Sequence, residues 1–267
     1  LAIRNYFNLS PLTSLNGIQN LTSLKSLEIK HTSLTSLDGL QNLSSLETMN
    51  ILENPFLTNL NGIQNITDLK NLTINHNATL TDLSSLSNQT TVDHLTIQGN
   101  EALESLNGLY QITALRSLTF SSNLFANLNE FQHLIALDTL QLSGCTALTS
   151  LNGLSNIAAL KELYILNDDV LPNLNGLQNL TSLKNLTLSD NEALTNLTGL
   201  EGLTKMGNLL VDYNPSLANL AGLGNITSAE SVVLQSNENL VDLNGLNQLT
   251  AVGGLWLYYN DKLVSLS

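Results

Sequence analysis

The sequence predicts an α/β solenoid, with a parallel β-sheet on the concave face and short 3₁₀ or helical turns on the convex face. Three observations predict it. A unit of 22 or 23 residues recurs about eleven times along the chain. Within each unit two leucines stand two residues apart, the period of a strand with one buried face. An asparagine and an Asn-Gly or Asp-Gly pair return at fixed places in most copies.

Copies start at Leu12, Leu34, Leu57, Leu80, Leu103, Phe125, Leu148, Leu171, Leu194, Leu217 and Leu240, and Leu263 to Leu266 begins another. The expected organisation is a single solenoid over 1–267, with full repeats from 12 to 262 and partial ones at both ends. An intact stack carries polar caps. The chain instead opens and closes within the pattern, so the expectation is a fragment of a longer protein.

The eighth copy shows how one unit folds. Leu183-Lys-Asn-Leu186-Thr-Leu188-Ser-Asp-Asn191 places Leu186 and Leu188 on the buried face of a strand. Asn185, Thr187 and Ser189 then face solvent. The chain must turn at Asn191, which strands backbone groups inside. The same place holds Asn54, Asn77, Asn100, Asn123, Asn214, Asn237 and Asn260, with Thr32, Cys145 and Asp168 as substitutes. Stacked amides both donate and accept, so this column can satisfy the turn. Further along, Leu60-Asn-Gly-Ile63-Gln-Asn-Ile66-Thr-Asp-Leu69 combines a turn dipeptide with an apolar spacing of three. That spacing suits one turn of 3₁₀ or α-helix.

The motif Leu-x-x-Leu-x-Leu-x-x-Asn is that of a leucine-rich repeat, which the chain resembles over nearly its whole length. Early copies such as Leu21-Thr-Ser-Leu-Lys-Ser-Leu-Glu-Ile29 are similar to the repeats of bacterial internalin-type surface proteins. They have Leu-Asn-Gly-Leu where that family has an Asp-Ile-x-Pro-Leu turn. The late stretches Met206–Leu217 and Val252–Asn260 resemble receptor L-domain repeats. The resemblance implies a non-enzymatic binding module, secreted or on a cell surface.

Composition narrows the function classes. Net charge is −13, with nine Lys and Arg residues scattered along the sequence. Nucleic acid and anionic lipid both demand a basic footprint, so neither is expected as a partner. No apolar run reaches the ~18 residues of a membrane span. The single cysteine, Cys145, excludes an internal disulfide. It also points away from the stapled caps of animal extracellular repeats and toward a bacterial source. Its expected role is a small buried side chain.

Chemistry is not expected. His31, His76, His94 and His133 share no metal-ligand spacing, and the glycines are spread singly by the repeat. Neither catalytic residues, metal ligands nor cofactors are predicted. Acidic residues recur just past the asparagine column at Glu101, Asp169, Glu192, Glu238 and Asp261. They read as a solvated acidic edge, with calcium as the alternative. Asn-x-Ser/Thr sequons at Asn20, Asn42, Asn65 and Asn179 arise from the repeat's own turn.

The exposed strand positions carry the functional expectation. Early and middle copies present small polar residues, including the column Thr73, Thr96 and Thr119. Late copies differ. The sole Trp and four of the six Tyr fall there, and aromatics are enriched at interface hot spots. The candidate ligand-binding residues are Tyr164, Leu166, Leu210, Asp212, Tyr213, Trp256, Tyr258 and Tyr259. A monomeric, protein-binding adhesion module is the reading. The alternatives are glycan binding by the aromatic cluster, aided by Asn208, Asp212 and Gln235, and ice binding by the threonine column. Trp256, Tyr258 and Tyr259 can equally cover the end of the stack.

Overall fold

The computed structural model describes residues 1–4 and 12–266. The chain divides into two compact units, Leu1–Phe125 and Ala126–Ser267. The first contains β1 (Ala2–Arg4), β2 (Ser23–Lys30), β3 (Ser45–Leu52), β4 (Asn71–Asn75), β5 (His94–Gln98) and β6 (Ala114–Ser121). The second contains β7 (Ala136–Ser143), β8 (Ala159–Leu166), β9 (Ser182–Ser189), β10 (Lys205–Asp212), β11 (Ser228–Gln235) and β12 (Ala251–Tyr258). Within each unit every strand pairs in parallel with the next in sequence.

The register follows the repeat. Leu163, Leu186, Leu209 and Val232 are partners across neighbouring strands, and so are Ile165, Leu188, Val211 and Leu234. All eight are buried, whereas Thr187 between Leu186 and Leu188 is half-exposed. Most strands begin earlier than the Leu-x-Leu motif alone implies. In β9, Leu183 and Leu186 are both buried although three residues apart. The strand therefore bends at Lys184, whose column is skipped in the pairing between β9 and β10.

That skipped column organises charge. It runs Lys25, Glu47, Lys70, Asp93 and Arg116 in the first unit, and begins Asp138 and Lys161 in the second. Lys70 pairs with Glu47 at 3.2 Å, Arg116 with Asp93 at 3.3 Å, and Lys161 with Asp138 at 2.9 Å. Five of the nine basic residues that look scattered in sequence thus share this repeat position, and Lys70, Arg116 and Lys161 among them are paired within their own units. Each exposed pair contributes only ~0–1 kcal/mol, so the column favours correct register more than stability.

The asparagine ladder forms as expected in both units. Each Oδ1 accepts the backbone N–H of the preceding rung, as in Asn54 to Asn77 and Asn77 to Asn100, both at 3.0 Å. Each Nδ2 donates to a strand carbonyl one repeat back, as Asn77 does to Ile51 at 3.0 Å. Thr32 caps the ladder, giving its N–H and its hydroxyl to Asn54 Oδ1. A second asparagine column lies outside. Asn42, Asn65 and Asn179 each donate to a carbonyl of the previous turn at 2.7 to 2.8 Å. These sequon asparagines are therefore structural ties.

The helical expectation needs correction. Among the described residues 3₁₀ helix occurs only at Ser84–Leu86 and Asn129–Phe131. Elsewhere successive tight turns replace it, as in Leu40 N to Leu37 O and Leu43 N to Leu40 O. The cause is the glycine. In Leu60-Asn61-Gly62-Ile63 the glycine has φ of 120°, a type II turn that L side chains resist. A Cβ at Gly62 would also strike the Leu37 carbonyl oxygen. The two 3₁₀ segments fall in the two copies where Ser85 and Glu130 stand in place of this glycine.

Candidate binding surface

The residue before each ladder position has a positive φ. Asn167, Asp190, Tyr213, Ser236 and Tyr259 lie between 52° and 57°. This left-handed turn follows each strand from β2 to β12 and, in the second unit, sets its side chains along one edge of the strands. Six of the predicted contact residues, Tyr164, Leu166, Leu210, Asp212, Trp256 and Tyr258, follow from the strand alternation itself, and Tyr213 and Tyr259 from this turn.

In the second unit the exposed positions fall into rows crossing the strands. One row reads Tyr164, Thr187, Leu210, Val233 and Trp256, each residue the pairing partner of the next. At ~4.8 Å per strand it spans about 19 Å. The next row reads Leu166, Ser189, Asp212, Gln235 and Tyr258. The structure thus brings Tyr164, Leu210 and Trp256 into one line, and Leu166, Asp212 and Tyr258 into another. Tyr164, Leu166, Leu210 and Asp212 are half-buried, whereas Tyr213, Trp256, Tyr258 and Tyr259 are exposed.

A hydrogen-bonded polar row flanks the apolar one. Ser231 Oγ donates to Asn208 Oδ1 at 2.7 Å, and Asn208 Nδ2 donates to Asn185 Oδ1 at 2.7 Å. Asn185 Nδ2 donates to both Glu162 oxygens at 2.9 and 3.0 Å. The Tyr164 hydroxyl closes the chain by donating to Glu162 Oε2 at 3.0 Å. Burial, then the Glu162 carboxylate, push the Tyr164 hydroxyl above its usual range, so it stays a donor. The row ends at Gly254, where the Trp256 indole occupies the space a side chain would take. The indole therefore lies down along its own strand. Asn208 thus gives its Oδ1 and one Nδ2 hydrogen to this network.

Beside these rows lies a groove of about 400 Å³ lined by Asn167, Asp169, Asp190, Glu192, Tyr213, Pro215, Ser236 and Glu238. It is the acidic edge seen in sequence, joined to the left-handed column. Nearby, Asp212 has its carboxyl pushed above the usual range, first by burial and then by the charge of Asp190. Among the described residues no three His, Cys, Asp or Glu side chains converge as a metal cage. Asp190, Pro215 and Ser236 were invisible as groove residues in sequence. The signal available was Gly99 and Gly144 in the same column, since both are residues that tolerate positive φ.

The other sequence candidates take simpler places. Thr73, Thr96 and Thr119 are adjacent across β4, β5 and β6 and continue from Asn50. His31 Nε2 meets Glu53 at 2.7 Å, and His94 is exposed on β5. Cys145 is buried in the ladder column.

No family model matches the sequence, and no curated protein matches it. Solved structures do. The TLR13–ssRNA13 complex superposes with a TM-score of 0.51 at 17% identity, over 88% of this chain and 40% of that one. An internalin from Listeria monocytogenes covers 96% of this chain and 84% of its own at 20% identity, with a TM-score of 0.48. The ectodomain of the receptor kinase GASSHO1/SCHENGEN3 from Arabidopsis thaliana matches 91% of this chain and 35% of its own, at 17% identity and a TM-score of 0.39. No helix of the described residues is long and apolar enough to cross a membrane. The 23-residue register, the buried asparagine ladder and the likeness to the TLR13 fold lead to one conclusion: the chain adopts the leucine-rich-repeat fold.

Proposed function

We propose that the chain is a non-enzymatic module that binds a protein partner through the exposed strand face of its second unit, taken as the concave face. The single observation that carries this reading is the row Tyr164–Thr187–Leu210–Val233–Trp256, apolar but for Thr187, beside a hydrogen-bonded polar row. An aromatic and aliphatic strip costs solubility unless something covers it. Fixing its polar neighbours beforehand lowers the entropic cost of binding. The equivalent row of the first unit, Asn50, Thr73, Thr96 and Thr119, has no such strip.

The hot spots of the interface are Trp256 and Tyr258, supported by Tyr164, Leu166, Leu210, Asp212, Tyr213 and Tyr259. The net charge of −13 disfavours an RNA ligand such as the one in the TLR13 complex. A secreted or surface-exposed, monomeric adhesion protein is the setting this reading fits, by analogy with the internalin and receptor ectodomains.

The test is a display library of extracellular proteins run beside a glycan array, probed with the parent chain and with Trp256→Ala/Tyr258→Ala. We expect a protein ligand whose affinity falls at least about tenfold in the double variant. Binding confined to glycans, or a protein ligand indifferent to the double variant, overturns the assignment.

A further inference from the structure

The ladder of the second unit contains two rungs that are not amides, Cys145 and Asp168. Asp168 is fully buried between Cys145 and Asn191. Its Oδ1 accepts the Cys145 backbone N–H at 2.5 Å, and its own N–H donates to Asn191 Oδ1 at 3.1 Å. Up to this point it copies an asparagine. The difference is the second oxygen. In Asn191 and Asn214 the matching atom is Nδ2, which donates to Ile165 O and Leu188 O at 3.0 Å. By the repeat, Asp168 Oδ2 occupies the place that serves the Leu142 carbonyl, and it has no hydrogen-bond partner.

An ionised carboxylate there sets an acceptor against an acceptor in a fully buried site. A protonated carboxyl sets a donor against it and completes the rung. We propose that the Cys145–Asp168 rung is a proton-loaded joint, complete only when Asp168 carries a proton, and that losing the proton loosens the turn bearing Asn167 and Asp169, two walls of the acidic groove.

The groups facing Asp168 support this. They are the Cys145 N–H and thiol and the Asn191 amide, with the Asp169 charge beside them, and no cation acts on it. Burial, then Asp169, push the Asp168 carboxyl up to about 6, while the Cys145 contacts pull the other way. The sign follows. A folded value above the unfolded one means the stabilisation is fully present below about pH 4 and lost as pH rises through about 6.

The experiment is denaturant unfolding of the parent chain and of Asp168→Asn between pH 4 and pH 7.5, with Asp168 followed by carboxyl ¹³C NMR in the parent. Asparagine supplies the missing donor at every pH. We expect the two proteins to match near pH 4 and the variant to gain on the order of 100-fold in folding equilibrium by pH 7.5. The Asp168 resonance is expected to titrate near 6. A gap between the proteins that does not change with pH, or a resonance titrating in the ordinary carboxylate range, overturns the proposal.

Discussion

Leu186→Ala is expected to lower the unfolding free energy by ~2–5 kcal/mol, the usual cost of a fully buried leucine that leaves a cavity. Leu186 lies on β9 with buried neighbours on both sides, Leu163 and Leu209. In a nearest-neighbour stack a change in the middle weakens two interfaces, and one at an end weakens a single interface. Leu266 is 66% exposed, so Leu266→Ala is expected to cost far less. Thr187 sits one residue away on the opposite face, and Thr187→Ala should stay within about 0.5 kcal/mol. Urea melts of the three variants check the ordering.

Asn191→Ala is expected to destabilise by roughly 1–3 kcal/mol. The amide accepts the Asp168 N–H, donates to the Ile165 carbonyl, and donates to Asn214 Oδ1 at 3.0 Å. Alanine leaves the first two groups buried without the partner that the amide supplies. Asn191→Asp keeps the acceptor and loses the donor, so its cost should fall below that of alanine at low pH and rise as pH increases. Denaturant melts at two pH values separate the two roles of the amide.

Much of the fold was legible because the repeat states the same rule about eleven times. Leu186 and Leu188 reveal the buried face, and the asparagine column reveals the inner turn. What the period could not show was the conformation between those points. The apolar spacing around Gly62 fits a helical turn as well as two tight turns, and only the positive φ of that glycine decides between them. The left-handed residue before each asparagine was hidden for a related reason. Asn167, Asp190, Tyr213 and Ser236 share a conformation but no chemistry. Consequently the residues of the groove were seen in sequence only apart, as the acidic Asp169, Glu192 and Glu238 and, separately, Tyr213. The paired charges of the Lys161 column went unseen because opposite signs 23 residues apart look like scatter until the copies are stacked.

The alternation along each strand determines which side chains face outward, where a partner would meet them. Thiol labelling of the native protein tests it most directly, because the one native cysteine is buried and contributes little background. Thr187→Cys and Leu188→Cys are compared with a small alkylating reagent, with and without denaturant. Position 187 is expected to label rapidly in the native state and position 188 only after unfolding. Rapid native labelling at 188 with protection at 187 would contradict it, since a one-residue slip carries every proposed contact residue to the other face.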